Sequence, residues 1–298
     1  MNTKYLCKII SMVIALMLVP AEIAAVEQKW TCKHTFLPAH DKEVLCVAFN
    51  PAGTLFATGS MDETVKICDA ETGLPLKTCK KEGDDSRVTS VAFNDDGTLL
   101  ASGYYRGIKI WNAKTGELVA ELKEHTSEVS SLCFHHKYKE LLVSGSHDNK
   151  VKIWKTDTKK CVRTLTGWGD DILCVDLSPD GTKLAIGSKS PAKPLTIFDV
   201  SQEDPSQWKE IRSKAEIAFH TVESLCFSLD GNKIVLSSPS IYIVDVLKGE
   251  AEEIRDAESG WTISGASVSF CKDDKFLVYV IIVSDKTSHN LCIDSIMG

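Results

Sequence analysis

The stretch GSHDNKVKIW, Gly145–Trp154, has a near twin at Gly59–Cys68, GSMDETVKIC. The end of that phrase recurs as VKIC at Cys68, IKIW at Trp111, VKIW at Trp154, LTIF at Phe198, IYIV at Val244 and, more weakly, NLCI at Ile293. From Cys68 onward the steps between these positions are 43, 43, 44, 46 and 49 residues. Upstream of each lies a second recurring signal, seen most clearly in VAFNPAGTLFATG, VAFNDDGTLLASG and VDLSPDGTKLAIG. Each holds two short apolar runs around a turn rich in Asp, Pro and Gly. A period of that length, punctuated in that way, predicts four short strands per unit.

The inner runs do not alternate cleanly between apolar and polar, so those strands are expected to be covered on both faces. A lone four-stranded sheet would leave two apolar faces wet, whereas radial stacking covers both. The expected fold is therefore an all-β propeller of four-stranded antiparallel blades, occupying residues 29–298 as one domain. Six units fit the chain, the last ending after its third strand. The amino-terminal run KWTCKHTF, Lys29–Phe36, is expected to supply the missing outer strand and close the ring.

The repeated residues resemble the WD40-repeat propellers, whose units begin near Gly-His and end in Trp-Asp. The likeness is good from residue 30 to about 256 and poor beyond 260, and no unit contains a literal Trp-Asp pair. In that family a hydrogen-bonded tetrad of His, Ser or Thr, Asp and Trp ties each blade together. The resemblance places a full tetrad in the third unit, at His125, Ser144, Asp148 and Trp154. The first unit matches with His40, Thr58 and Asp62 but has Cys68 in place of Trp, and the second keeps Ser102 and Trp111. Later units keep almost none of it and are expected to rely on apolar packing.

The first segment carries Lys4 and Lys8, an apolar run over Ile9–Val19, and the small residues Ala21, Ala24 and Ala25. That order predicts a secretory signal peptide over residues 1–25, cut after Ala25, and hence export to a periplasm or to the outside, with no stable membrane insertion. Cleavage removes Lys4, Lys8 and Glu22 and moves the formal charge from -7 to -8. An acidic protein argues against binding a nucleic-acid backbone, which needs clustered cations. The nearest basic run, KTDTKKCVR over Lys155–Arg163, reads as a solvated strand edge. The 11 cysteines largely hold equivalent positions in different repeats, as Cys46 and Cys174 do. Rotation about the ring holds such positions too far apart for most to pair, so most read as small buried strand residues.

No Cys-x-x-Cys pair, His-Glu-x-x-His helix, phosphate-binding glycine loop or Gly-x-Ser-x-Gly elbow occurs in the chain. His135-His136 could contribute to a metal site but lies in a lysine-flanked turn, so a solvated turn is the expectation. No metal, cofactor or catalytic residue is assigned. Binding residues are sought in the loops of one face. There fall Met61, then Tyr104, Tyr105 and Arg106 of GYYRG, then His147, Trp168 and Trp261. Tyr, Trp and Arg contribute most at protein interfaces because they join apolar area to a polar handle. Trp168 and Trp261 also have an alternative role, packing inward where the family has His.

The resemblance implies a non-catalytic, monomeric scaffold that binds other proteins through this face. A propeller enzyme or small-molecule binder at the central channel is the alternative, with Glu43, Asp85, Glu128 and Asp171 near the inner strand ends. A periplasmic assembly protein is a third reading.

Overall fold

A computed structural model of the chain describes residues 40–80, 86–211, 221–238, 240–255, 268–271, 276–282 and 289–295. The predicted signal segment, the predicted closing strand Lys29–Phe36, Asp85 and Trp261 lie outside the described residues.

The first sheet contains β1 (Val44–Phe49), β2 (Leu55–Ser60), β3 (Val65–Asp69) and β4 (Pro75–Cys79). The second contains β5 (Ser90–Phe93), β6 (Leu99–Tyr104), β7 (Gly107–Asn112) and β8 (Leu118–Leu122). In the third lie β9 (Val129–Phe134), β10 (Leu141–Ser146), β11 (Lys150–Lys155) and β12 (Lys160–Leu165). The fourth is built of β13 (Ile172–Leu177), β14 (Lys183–Ser188), β15 (Leu195–Asp199) and β16 (Lys209–Ile211). The fifth is β17 (Ser224–Phe227), β18 (Lys233–Ser237), β19 (Ile241–Asp245) and β20 (Ala251–Arg255). A three-stranded sheet follows, β21 (Val268–Cys271), β22 (Phe276–Ile282) and β23 (His289–Ser295).

Every sheet is an antiparallel meander in chain order. The first strands of successive sheets lie side by side, β1 against β5, then β9, β13, β17 and β21. These are the inner strands of a β-propeller, with one sheet to each blade. The apolar core lies between sheets: Val65, Ile67 and Val88 of blades 1 and 2 pack together, as do Ile153, Trp168 and Phe198 of blades 3 and 4.

The glycine that opens the repeated decamer is explained by this stacking. A Cβ built on Gly145 would stand 2.6 Å from Ile172 Cγ2, and one on Gly59 would stand 2.4 Å from Val88 Cγ1. The inner strand of the next blade therefore rests on a backbone with no side chain, which only glycine allows. The decamer's fifth residue closes the turn between strands two and three in the left-handed region, with φ 66° at Asn149 and 72° at Glu63.

Cys46, Cys68, Cys79 and Cys174 are buried, while Cys133, Cys161 and Cys226 are partly exposed, and all seven are thiols. The basic run over Lys155–Arg163 is more than a solvated edge. Arg163 Nη1 donates to the carbonyls of Pro205 and Trp208, clasping blade 4 to the outer strand of blade 3. His135 corrects the expectation of a solvated turn: it is fully buried and packs on Tyr138, with ring centroids 4.7 Å apart. His136 instead pairs with Asp95 of blade 2 at 2.9 Å.

Candidate functional site on the upper face of blades 2 and 3

The antiparallel meander places the β2–β3 type of loop and the blade-to-blade connections on one side of the disc, here called the upper side. Its geometry is set by what each blade does with its polar corner. In blade 3, Trp154 Nε1 donates to Ser144 Oγ at 2.8 Å, and Ser144 lies 2.7 Å from His125 Nε2. His125 Nδ1 is 2.8 Å from Asp148 Oδ2. The indole N–H donates to Ser144 Oγ, and the Asp148 carboxylate, which can only accept, takes the Nδ1 proton of His125.

Asp148 also takes the backbone N–H groups of Thr126 and Lys150. Burial works against its ionisation, but the bonds from His125 and Thr126 outweigh it and hold the carboxyl below the ordinary aspartate range. Each member satisfies its neighbour, so the buried polar atoms of this corner belong to structure. Blade 1 repeats the arrangement with His40 between Thr58 and Asp62, both at 2.8 Å. Burial again opposes ionisation of Asp62, and hydrogen bonds from Thr64 and His40 overcome it, setting the carboxyl at about 2.

Blade 2 differs. Trp111 Nε1 donates to Ser102 Oγ at 2.6 Å, but the loop after Gly103 is one residue shorter than its twins and has no aspartate. The β6–β7 pairing ends at Tyr104 and Gly107, as the β10–β11 pairing ends at Ser146 and Lys150. Tyr104 thus holds the buried strand-end place of Ser60 and Ser146 and is 3% exposed, with Lys109 Nζ 3.8 Å above its ring. This corrects the expectation that Tyr104 is part of an exposed surface.

Tyr105 and Arg106 are exposed as expected, Tyr105 by 53%. Their loop leans on the neighbouring blade: Tyr105 forms a β-bridge with Glu128, and Arg106 N donates to Ser127 O at 2.9 Å. Arg106 sits at φ 68°, with its guanidinium 5.1 Å from the Tyr105 ring centroid. The corresponding loops of blades 1 and 3 instead tie back to their own blades, Met61 N to Glu43 O and His147 N to Glu128 O. Met61 and His147 are half-buried on the same side.

Glu128 is the junction of the two blades. Its carboxylate receives Arg87 Nη2 at 2.5 Å and Nε at 3.0 Å, while its carbonyl accepts from Ser146 Oγ. Sequence reasoning missed Arg87, whose place just before an inner strand, where other units have Glu43, Glu128 and Asp171, was its signal. Asp171 in turn is bound by Lys189 Nζ at 2.8 Å. Two of the carboxylates considered for channel chemistry are thus engaged by cations, and no cluster of metal-binding side chains occurs among the described residues.

Between this loop and the connection from β8 to blade 3 lies a cavity of about 330 Å³. Its walls include Tyr104, Arg106, Lys109, Glu121, Lys123 and His125.

Trp168 is 4% exposed and is corrected from binding surface to core. It stands where blade 3 has His125, and its Nε1 donates to Thr196 Oγ1 at 3.1 Å. Ile186 and Phe198 hold the registers of Ser144 and Trp154, so blade 4 fills its corner with apolar volume.

Known proteins give the same picture of the repeat. The family described as WD domain, G-beta repeat matches residues 30–69, 73–112, 116–155 and 159–190. The chain is 25% identical over 271 residues to the probable coatomer subunit beta' of Schizosaccharomyces pombe, covering 90% of this chain and 33% of that one. It is 33% identical over 211 residues to THO complex subunit 3 of Arabidopsis thaliana, covering 70% and 54%. The U3 small nucleolar RNA-associated protein 15 homolog of Gallus gallus is 33% identical over 171 residues, covering 57% and 31%. The chain spans about a third to a half of the length of these relatives, and none of the three names denotes an enzyme. With the four matched repeats covering more than half of its length, the chain belongs to the WD40 repeat family.

Proposed function

We propose that the chain is a non-catalytic protein-binding scaffold whose docking surface is the upper face of blades 2 and 3. The observation that carries this reading is the Tyr105-Arg106 pair, exposed on a loop that is bridged to the next blade at Ser127 and Glu128. A rigid loop presenting an aromatic ring and a guanidinium loses little freedom on binding, and these residue types dominate interface energetics. The three relatives named above include subunits of a coatomer and of a THO complex, which supports an assembly role. The formal charge of -7 supports a protein rather than a nucleic-acid backbone as the partner. Export enters the reading through residues 1–25 alone.

The test is site-specific photo-crosslinking from two positions of the full chain. One probe replaces Tyr105, and the other replaces Leu247, which is 78% exposed on the opposite face. A discrete adduct from position 105 and none from 247 is the expected result. Adducts from 247 alone, or equally from both, would move the docking surface elsewhere.

A further inference from the structure

We propose that the cavity at the top of blade 2 is a pocket for an anionic side chain presented by a peptide partner. The proposal rests on the scaffold reading and names the chemistry its docking face selects.

The pocket lies between the blade 2 loop and the connection that leads from β8 into blade 3. In blades 1 and 3, an aspartate at this corner accepts from a histidine and from backbone N–H groups. In blade 2, the loop reads Tyr104-Tyr105-Arg106-Gly107, with no carboxylate in that place. About 330 Å³ of space lies beside this loop. That is the small end of the range for ligand sites, a size suited to one side chain rather than to a cofactor.

The walls have the chemistry of an anion receptor. Arg106, Lys109 and Lys123 line the cavity, and Glu121, the one carboxylate of its wall, is joined to Lys123 at 2.8 Å. Most of the weight falls on Arg106. Among the described residues its guanidinium has no carboxylate partner, and its fork geometry matches the paired oxygens of a carboxylate or a phosphate. The Tyr105 ring beside it supplies apolar area for the residue flanking the anion. Backbone bonds to blade 3 hold both residues in place before any ligand arrives. The acidic protein as a whole repels an acidic peptide at long range, so recognition has to come from this local arrangement.

The test uses immobilised decapeptide libraries with glutamate, phosphoserine or glutamine fixed at the centre and randomised flanks. They are probed with the full chain and with its Arg106→Gln, Tyr105→Ala and Lys160→Gln variants. Gln is as strained as Arg at positive φ, so the first change removes charge without relaxing the loop. Lys160 is an exposed cation on the outer strand of blade 3 and serves as control. Unfolding midpoints equal to the wild type's confirm that each variant folds.

Retention of glutamate- or phosphoserine-centred peptides about tenfold above the glutamine library is expected, the scale of one hydrogen-bonded charge pair. That preference should vanish in Arg106→Gln and survive in Lys160→Gln. Comparing the two anionic libraries separates a carboxylate reader from a phosphate reader. Equal retention of all three libraries, lost in Tyr105→Ala, would overturn the anionic pocket and leave the scaffold reading standing. An acidic preference that survives Arg106→Gln would overturn the pocket, and no retention in any arm would remove both readings.

Discussion

The indole nitrogen of Trp168 donates to Thr196 on β15, whereas the histidines of blades 1 and 3 bond to a hydroxyl on strand two of their own sheets. Blade 4 has therefore replaced a polar network with one large ring and two apolar neighbours, Ile186 and Phe198. Trp168→Ala should lower unfolding free energy by about 3–5 kcal/mol, the range for deleting a buried tryptophan. Trp168→His should not restore it, because Ile186 offers no hydroxyl at the register where Ser144 meets His125. Urea unfolding of the three proteins checks both; an unchanged midpoint in the alanine variant would place Trp168 outside the core.

The buried His135 and the half-buried Asp176 act oppositely on stability between pH 4 and 6.5. Burial lowers the His135 imidazole to about 4, its Nδ1 already accepting from Lys137 N and Tyr138 N. The unfolded chain therefore takes up the proton first, and stability is lost as pH falls through 6.5 toward 4. Burial raises Asp176 to about 6 even though Phe227 N donates to it at 2.9 Å. Here the folded chain holds the proton, so stability is lost as pH rises from about 4 to 6. Denaturation between pH 4 and 7 should show a steeper loss on acidification for Asp176→Asn than for wild type. For His135→Gln the loss should be flatter or reversed. Parallel pH profiles for all three would refute the assignment.

The strands and the polar corners were legible in the sequence because they recur. A position that must be glycine in several blades, or must complete a chain of hydrogen bonds, repeats at a fixed offset. Tyr104 and Trp168 were harder to read because each is a departure from the repeat. Tyr104 holds the strand-end place that the small buried serines Ser60 and Ser146 hold in blades 1 and 3, and a bulky ring there disguises the equivalence. Trp168 sits at a loop position whose inward orientation depends on Ile186 and Phe198, neither adjacent to it in sequence. His135 and His136 look alike in the sequence, yet one is core and the other meets Asp95 across a blade boundary. Likewise, the cavity takes its walls from the blade 2 loop and from the connection into blade 3, which a repeat read one unit at a time does not bring together.

The amino-terminal segment gives a direct expectation. If Lys4, Lys8, the apolar run and Ala25 act as a signal, intact-mass analysis of protein recovered from the exporting cell should find a chain beginning at Val26. Recovery of the chain with Met1 or Asn2 at its start would remove export from the reading.

Blade 1 lacks the tetrad tryptophan, and its compensation lies across the strand. Cys68 pairs with Phe56, while the equivalent pairs in blades 2 and 3 are Trp111 with Leu100 and Trp154 with Leu142. The larger and the smaller member have exchanged strands, so the aromatic ring now comes from strand two and the indole donor is lost. Phe56 is fully buried, packs tilted against Phe49 with ring centroids 5.8 Å apart, and shares a core cluster with the equally buried Cys68. Cys68→Trp should therefore destabilise the protein by about 1–3 kcal/mol through overpacking, although it completes the tetrad on paper. The double change Cys68→Trp with Phe56→Leu recreates the pair of blades 2 and 3 and gives Thr58 an N–H donor, so it should recover most of that loss. A thermal-denaturation cycle over the four proteins measures the coupling. Additive effects of the two substitutions would mean that Phe56 does not stand in for the missing tryptophan.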